Sequence, residues 1–333
     1  MKRTAIVTVV QHAAMMSPAF FECVGKAVED GARLVVIDQA SVGDTIERIR
    51  GAFPHATVIR NARNTGFASG ANQAVRLLLT SPLAYDTIAF LDTRAMVPTE
   101  TLRALCARVR QTPSLGLVGP KWLSLYDEQA LDESLHEQVA SDRVLSLGLL
   151  CRRGMPLSHV GFGTTDAGDG GLRDVDALHA GLVCASTRAI EQVQLDDETY
   201  LDPWWVTADA LTDLGWRMRR AGFYVQCDVD VEAHWPCGIF VRPRRRSAFR
   251  EMQERTERLE RALSVRNAIC LFLVHDSISR ILVLLPITAW NIMRWSLYLL
   301  LFDRASLPAL WSWMRYFRWI VRRRYKAVYR NTT

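Results

Sequence analysis

Short apolar runs alternate with amphipathic stretches over residues 1–120, and this alternation restricts the possible folds more than any other feature of the sequence. The apolar runs are rich in β-branched residues, which favour strands, and the stretches between them show helical spacing. The predicted strands are TAIVTVV, ARLVVID, ATVIRN, TIAFLD and LGLVGPKW. Strands that alternate with helices form a mostly parallel sheet with helices on both faces. The sequence therefore predicts an α/β domain with a Rossmann-like sheet.

Polar side chains stand at or just beyond the ends of three predicted strands. They are Asp38, Asn64 and Asp92. Ligands of parallel sheets bind beyond the carboxyl ends of the strands, so these residues are candidate ligand contacts. Gly66 and Gly70 permit close backbone approach, and the helix that follows presents N–H groups that favour an anion. By composition alone, an ordinary loop without a ligand fits equally well.

The C-terminal third of the chain concentrates basic and apolar residues, in a protein of net charge +6. The uncharged run Ile281–Met293 is short for a membrane span, which needs about 20 apolar residues, and Arg294 interrupts it. Tryptophan, tyrosine and arginine at helical spacing in WSWMRYFRWIVRRRYKAVYR favour a helix lying in the lipid headgroup region. A re-entrant or tilted hairpin and a helical subdomain or oligomer contact are the alternatives. Because no nucleic-acid-binding motif is present, the charge predicts an anionic membrane surface and no nucleic acid as partner.

The cysteines and the first residues indicate the compartment. The seven cysteines show no C-x-x-C spacing and no pairing with histidine at metal-site intervals, so they are predicted to be reduced thiols packed in the core. The N-terminal run MKRTAIVTVV has a basic start but too short an apolar stretch for a signal peptide. It predicts a first strand and a cytosolic start.

Six segments of the chain together match a known pattern. They are VVIDQAS, RNTGFASGANQA, IAFLD, HAGLVCASTR, YLDPWWVTADALTDLGWRMRRAGFYV and VEAHWPCG. In this order and spacing they resemble the family 2 glycosyltransferases, over roughly residues 4–240. The arginine-rich helical tail is similar to tails in the bacterial rhamnosyltransferase-like branch of that family.

The resemblance implies a GT-A fold over residues 1–240, followed by a basic loop and amphipathic, membrane-associated helices over residues 241–333. Residues 1–120 would form the nucleotide-sugar half and residues 121–240 the acceptor half. The implied activity is transfer of a sugar, such as rhamnose, from a dTDP- or UDP-linked donor to a lipid-linked or polysaccharide acceptor of the cell envelope. Transfer would proceed with inversion, with Mg²⁺ or Mn²⁺, at the cytoplasmic face of the inner membrane.

The resemblance also implies roles for single residues. Donor contacts fall on Asp38, Asn64, Gly66, Asn72 and Asp92, acceptor-side contacts on Gly181, Trp204 and Trp205, and metal contacts, if a metal binds, on Asp92 and His234. A structural histidine is an equal alternative for His234. Trp204 and Trp205 suit core packing and sugar stacking equally, whereas Trp216 suits core packing better.

The chain departs from the family pattern at the positions that carry the chemistry. Arg94 stands where a metal-facing carboxylate is expected, and the family's Glu-Asp pair falls on Ala210 and Leu211. Leucine cannot take a proton from an acceptor hydroxyl. Asp209 and Asp213 flank this position and are the candidate bases. On a helix, however, Asp209 points to the side opposite Leu211.

Two interpretations of these departures stay open. In the first, the enzyme works without a metal, because arginine binds phosphate directly through its guanidinium fork. The arginines proposed for the diphosphate are Arg94 and those of a basic loop, Arg242, Arg244, Arg245 and Arg246. The basic loop is equally compatible with a solvated or lipid-facing segment. In the second interpretation, the protein is catalytically silent and acts as a binding or scaffold module in envelope polysaccharide synthesis.

Overall fold

The protein folds into two compact units. The structure is a computed structural model that describes residues 1–10, 16–129, 136–151, 157–168, 170–195, 198–236, 258–302, 304 and 307–329. The larger unit comprises Met1–Leu149 and His159–Val241, and the smaller unit comprises Leu150–Ser158 and Arg242–Thr333.

The larger unit begins with regular alternation of strands and helices. In chain order these are β1 (Thr4–Val10), α1 (Pro18–Glu29), β2 (Arg33–Asp38), α2 (Thr45–Ala52), β3 (Thr57–Arg60), α3 (Phe67–Leu79), β4 (Thr87–Leu91), α4 (Thr99–Gln111) and β5 (Leu115–Gln129). Then follow β6 (His136–Ser146), β7 (Leu149–Leu150), β8 (Ser158–His159), β9 (Leu172–Asp174), β10 (Leu182–Ser186), α5 (Thr187–Gln192), a 3₁₀ turn (Pro203–Trp205), α6 (Asp209–Arg220) and β11 (Tyr224–Pro236). The predicted α/β alternation is confirmed.

Nine strands form one sheet in the order β3-β2-β1-β4-β10-β5-β11-β9, with β6 paired to β5. The strands β1 to β5 and β11 point in one direction, whereas β6, β9 and β10 run against them. The sheet is therefore mostly parallel, as predicted. Its central strands are covered on both faces and are mostly apolar, as in β4, where every residue is buried.

Close approach of α3 to the sheet depends on one glycine. A Cβ atom on Gly70 would lie 2.5 Å from Nε2 of Gln39 and 3.1 Å from a methyl carbon of Ile37. Real side chains do not approach this closely, so only glycine lets the helix settle against β1 and β2. This close contact keeps the start of α3 near the carboxyl ends of these strands.

Four cysteines of the larger unit are packed rather than bridged. Cys23, Cys106, Cys184 and Cys227 are free thiols in the buried core, and the Sγ atoms of Cys106 and Cys184 lie 3.9 Å apart. Burial raises the pKa of Cys23 and of Cys227 to about 12, so both thiols stay protonated.

The smaller unit is helical where the structure describes it. Its helices are α7 (Arg258–His275), α8 (Ile278–Phe302), α9 (Leu307–Trp311), a 3₁₀ turn (Ser312–Tyr316) and α10 (Phe317–Tyr329). Helix α10 packs against α7, and Nη1 of Arg324 donates a hydrogen bond of 2.8 Å to the carbonyl of Leu273. The guanidinium of Arg266 lies 5.8 Å from the ring centre of Tyr316.

Helix α8 is longer than the apolar run that the sequence suggested. It continues through Arg294, because arginine is a good helix former and does not end a helix. The segment Ile278–Leu301 has 24 residues, is mostly apolar and is largely exposed. By length and composition alone, this one helix of the described chain is able to cross a membrane.

Candidate functional site

The polar residues that the sequence placed at strand ends meet at one edge of the sheet, here called the carboxyl edge. It comprises the ends of β2, β3 and β4 and the residues that follow them. The N–H of Asn61, after β3, donates to the carbonyl of Asp38 (2.8 Å). The N–H of Asp92, after β4, donates to the carbonyl of Gly181 (2.9 Å), because β10 begins at the same edge. This is where ligands of parallel sheets bind.

Asp38 is fully buried at the end of β2. Its Oδ1 accepts a hydrogen bond of 2.9 Å from the N–H of Ser41, and Nε of Arg60 lies 3.1 Å from Oδ2. The turn is strained, because Ala40 has φ 56°, a conformation that residues with a Cβ rarely adopt. Among the described residues, no hydrogen bond of good geometry reaches Oδ2 of Asp38 or the buried hydroxyl of Ser41.

Gln39 organises the loop between β3 and α3, a role that the sequence analysis did not recognise. Its Oε1 accepts hydrogen bonds from the N–H of Thr65 (3.0 Å), the Thr65 hydroxyl (3.1 Å) and the amide of Asn61 (3.2 Å). Its Nε2 donates to the carbonyl of Gly66 (2.8 Å). The only available signal was its position beside Asp38 at a strand end.

Gly66 lies where the loop between β3 and α3 meets the segment before α6. Its φ of +83° and a hypothetical Cβ only 2.8 Å from the carbonyl oxygen of Val206 both require glycine. The side chain of Asn64 accepts the Gly66 N–H (2.8 Å), and the N–H of Phe67 donates to Val206 (2.7 Å). Asn64 is exposed and Val206 is half-exposed, so this contact lies at the surface of the carboxyl edge.

Asn72 has a different role from the donor contact implied by the resemblance. It is only 3% exposed. Its Nδ2 donates to the carbonyl of Leu201 (2.6 Å), and its Oδ1 accepts the N–H groups of Tyr200 (3.1 Å) and Leu201 (2.9 Å). These three bonds tie α3 to the segment that precedes α6, so Asn72 positions the backbone rather than a ligand.

Asp92 and Arg94 form a close ion pair at the end of β4. Oδ1 of Asp92 accepts from the backbone N–H (2.9 Å) and Nε (3.0 Å) of Arg94, and Oδ2 accepts from Nη2 (2.8 Å). The Arg94 guanidinium also lies 4.9 Å from the ring centre of Trp235. Both carboxylate oxygens of Asp92 therefore already face a cation.

The residues at this position do not suit a divalent metal. Arginine is not a metal ligand, and it engages both oxygens of the one carboxylate that follows β4. No group of three or more His, Cys, Asp or Glu side chains among the described residues is arranged to hold a metal ion. His234 pairs through its backbone with Met96 (3.0 and 2.9 Å), and burial lowers the pKa of its imidazole. These contacts fit the structural alternative for His234.

Gly181 is enclosed by aromatic rings. A Cβ there would lie 2.5 Å from Trp122 and 3.0 Å from Trp235, so any side chain would displace these rings, and Trp235 is the ring that lies against Arg94. The ring of His179 packs against both tryptophans with centres 4.8 Å away, and its Nδ1 accepts the Gly181 N–H (3.2 Å). Gly181 is therefore explained by packing beneath the site.

His179 makes the stability of this cluster dependent on pH. Burial lowers its pKa to about 3, and the charges of His159 and Arg94 act in the same direction. The histidine of the unfolded chain has the ordinary pKa of about 6.5. Between about pH 3 and that value, the unfolded chain therefore binds more protons than the folded chain. We expect the stabilisation by neutral His179 to be complete above about pH 6.5 and to be lost as the pH falls towards 3.

Urea unfolding at several pH values measures this effect. In His179→Gln, the loss of stability between about pH 7 and pH 4 should be smaller than in the wild type, because glutamine does not titrate. Glutamine retains an oxygen that can accept the Gly181 N–H. An equal slope in both proteins would show that other groups carry the dependence.

The three positions around the expected base lie in different environments. Leu211 is 3% exposed and packs in the core. Asp213 is buried and ion-paired with Arg217, whose Nε donates to Oδ2 at 2.9 Å. Asp213 faces the core one helical turn before Arg217. It is therefore not placed to act as the base. Asp209, at the start of α6, is half-buried and accepts a hydrogen bond from the hydroxyl of Thr207 (2.8 Å).

The three tryptophans in and before α6 also differ in burial. Trp205 is fully buried, which assigns it to core packing rather than to sugar stacking. Trp204 is partly exposed, and its ring contacts that of Trp205 edge to face at 4.9 Å. Trp216 is also partly exposed. The arginines proposed for the diphosphate in the basic loop, Arg242, Arg244, Arg245 and Arg246, lie outside the described residues.

Solved structures with a similar fold are sugar-transferring enzymes. GalNAc-T7, solved with UDP, GalNAc and Mn²⁺, matches with a TM-score of 0.50 and 13% identity over 70% of this chain and 43% of its own. The mannosyltransferase PcManGT from Pyrobaculum calidifontis, solved with GDP-Man and Mn²⁺, matches with a TM-score of 0.50 and 14% identity over 99% of this chain and 87% of its own.

These likenesses concern the fold. This chain spans less than half the length of GalNAc-T7, with 43% of that protein covered. No protein-family model matches the sequence, and no curated protein matches it. The GT-A fold implied by the sequence resemblance is supported, whereas family 2 and the rhamnosyltransferase-like branch stay predictions. The chain therefore has the fold of the GT-A glycosyltransferases.

Proposed function

We infer that the larger unit binds a nucleoside diphosphate sugar at the carboxyl edge and transfers its sugar to an acceptor. The observation that carries this inference is the pair of buried oxygens, Oδ2 of Asp38 and Oγ of Ser41, that lack a well-formed hydrogen bond within the described chain. Buried polar atoms are nearly always hydrogen-bonded, and a ligand bound at the carboxyl edge would supply the partners that these two oxygens lack. The N–H and hydroxyl groups of a nucleoside are suitable donors.

Access to Oδ2 of Asp38 requires that Arg60 move away from it. Arg60, which covers Asp38, is 62% exposed in its side chain. Because the carboxylate of Asp38 is fully buried, a nucleoside that displaces Arg60 has to supply hydrogen-bond donors to Oδ2 in its place. The strained turn at Ala40 and the bonds from Gln39 hold the surrounding backbone in place.

The reaction assigned to the site is a displacement at the anomeric carbon. The acceptor hydroxyl oxygen bonds to that carbon while the bond from carbon to the diphosphate oxygen breaks, and the nucleoside diphosphate leaves with the bonding electrons. The acceptor proton passes to the carboxylate of Asp209. Attack from the face opposite the leaving group inverts the configuration. Asp209 lies three residues after Val206, which contacts the start of α3 at the carboxyl edge.

The finer assignment rests on the sequence resemblance. It comprises a dTDP- or UDP-linked donor, rhamnose as the sugar, and a lipid-linked or polysaccharide acceptor of the cell envelope at the cytoplasmic face of the inner membrane. The apolar surface of α8 supports a membrane partner, because a lipid-linked acceptor would be met at the membrane.

Donor turnover tests the proposed function. Full-length protein is incubated with UDP-, dTDP- and GDP-sugars, with and without a lipid extract of bacterial membranes, and the released nucleoside diphosphate is measured. Release that requires the extract supports the transferase. Binding of a nucleotide sugar without turnover under any condition would favour the silent binding module. Absence of binding for all donors would refute both.

The membrane proposal gives a separate prediction. Val283, on α8, is 75% exposed, and an aspartate there should weaken binding to anionic lipid vesicles in flotation assays, because a carboxylate is costly to place in lipid. Val42 in the larger unit is exposed to a similar extent, 73%, and provides the matched control Val42→Asp. Equal flotation of both variants and the wild type would contradict a membrane role for α8.

A further inference from the structure

We propose that Arg94 itself supplies the positive charge that faces the donor diphosphate, so that nucleotide binding requires no divalent metal. This inference rests on the proposed function, since it concerns the same site. It starts from a disagreement: the similar structures were solved with Mn²⁺, whereas the donor set at the end of β4 in this chain does not suit a metal.

The guanidinium is held on two sides before any ligand binds. Asp92 accepts hydrogen bonds from Nε and Nη2 of Arg94 at 3.0 and 2.8 Å, and the ring of Trp235 lies against the guanidinium at 4.9 Å. Paired geometry of this kind fixes the plane of the guanidinium. The Arg94 side chain nevertheless remains 33% exposed, so solvent reaches it. Asp92 acts as the positioning residue for Arg94.

The backbone around the pair is fixed as well. Four hydrogen bonds of 2.9–3.1 Å join the residues after β4 to each other and to their neighbours. They run from Asp92 to Gly181, from Ser17 to Thr93, from Ala95 to Asp92 and from Met96 to His234. A cation on this rigid turn needs little reorganisation to meet an anion, which is the condition under which a fixed charge is most effective.

The position of Arg94 matches that expected for the diphosphate. Asp38 ends β2 and Arg94 follows β4, and only β1 lies between these strands. Neighbouring strands are about 4.8 Å apart, so the two strand ends are separated by about 10 Å. This separation is comparable to the length of a nucleoside. A base or ribose held at Asp38 would therefore place its phosphates near Arg94.

The chemistry of arginine suits this role. Guanidinium groups bind phosphate oxygens through paired N–H donors and keep their charge at every physiological pH. A metal at this position would have to compete with Arg94 for both oxygens of Asp92. A diphosphate, in contrast, does not compete for the oxygens of Asp92, because its own oxygens accept hydrogen bonds from arginine.

The test compares nucleosides with their diphosphates. Calorimetric titrations of full-length protein use uridine and UDP, thymidine and dTDP, and guanosine and GDP, each with Mn²⁺ and with EDTA. We expect the wild-type Kd for the diphosphate to be the same in both conditions. Arg94→Ala should weaken diphosphate binding about 10- to 100-fold and leave binding of the nucleoside unchanged. Retained nucleoside binding also shows that the variant is folded.

Three further variants complete the test. Arg3→Ala removes an arginine paired with Asp86 at 2.7 Å at the opposite edge of the sheet, and it should leave both affinities unchanged. Asp92→Asn should weaken diphosphate binding in the wild-type background but have no further effect in Arg94→Ala. In a double-mutant cycle, the effects of the two changes on diphosphate binding would then not add. Arg94→Asp, which places two carboxylates after β4, should make diphosphate binding depend on Mn²⁺.

The outcomes separate this inference from the proposed function. A wild-type affinity for the diphosphate that falls at least about tenfold in EDTA overturns the inference and leaves the function intact. An equal loss of nucleoside and diphosphate binding in Arg94→Ala also overturns it, because the arginine would then support the fold rather than the phosphates. Failure of the wild type to bind any nucleoside or diphosphate refutes the proposed function, and the inference with it.

Discussion

Replacing Asp209 by asparagine is expected to lower kcat for sugar transfer by about 10²- to 10⁴-fold. The change is nearly isosteric and keeps an oxygen for the hydroxyl of Thr207, but the amide cannot take a proton from the acceptor. Asp213 cannot replace it, because that carboxylate is buried against Arg217. Nucleoside diphosphate binding should be unaffected, since the role proposed for Asp209 is to take the acceptor proton and not to contact the donor. Steady-state release of the nucleoside diphosphate measures kcat.

Two variants serve as controls for this experiment. Asp209→Glu retains a base in a displaced position and should recover part of the rate. Glu191→Gln removes an exposed carboxylate on α5 and should leave kcat unchanged. If Asp209→Asn retains more than about half of the wild-type kcat, another group takes the proton and the assignment of Asp209 is wrong.

Replacing Arg217 by methionine is expected to lower the free energy of unfolding by about 3–5 kcal/mol. Arg217 is 5% exposed and joins three parts of the larger unit. Its guanidinium donates to Asp213, to the carbonyl of Val193 and to the carbonyl of Tyr200. Methionine fills most of the volume but leaves the carboxylate of Asp213 buried without its cation. Urea unfolding followed by tryptophan fluorescence measures the loss.

The surface pair Glu22–Lys26 is the matched control. It has the same four-residue spacing on a helix and an Nζ–Oε1 distance of 2.7 Å, but both side chains are at least half-exposed. Lys26→Ala should cost much less than Arg217→Met, because water screens exposed charges. In the double variant Asp213→Leu with Arg217→Met, no charge is left unpaired, and part of the stability should return. A cost for Arg217→Met no larger than that for Lys26→Ala would contradict a structural role for the buried pair.

The strand ends were predictable because they depend on local pattern. Periodicity and β-branched runs located β1 to β5, and a parallel sheet brings its carboxyl ends together, so Asp38 and Asp92 could be assigned to one edge from the sequence. Arg94 was recognisable in the same way, as a cation where the family pattern has a carboxylate. Its ion pair with Asp92 spans only two residues.

The roles of other residues depend on contacts that local pattern does not encode. Asn72 bonds to Leu201, which is 129 residues away, so the sequence alone did not distinguish a ligand contact from a structural tie. Gln39 supports a loop 26 residues further on. Asp209 and Asp213 were equal candidates until the packing of α6 showed which of them faces the core with Arg217.

Helix α3 supports both halves of the larger unit, and this has a thermodynamic consequence. Its first N–H, on Phe67, bonds to Val206, and Asn72 bonds to residues 200–201, whereas Gly66 is bonded to Gln39 on the other side. A ligand that shifts the start of α3 therefore acts on the segment leading to Asp209 as well. Linkage requires that any such coupling be reciprocal: the factor by which donor strengthens acceptor binding equals the factor by which acceptor strengthens donor binding.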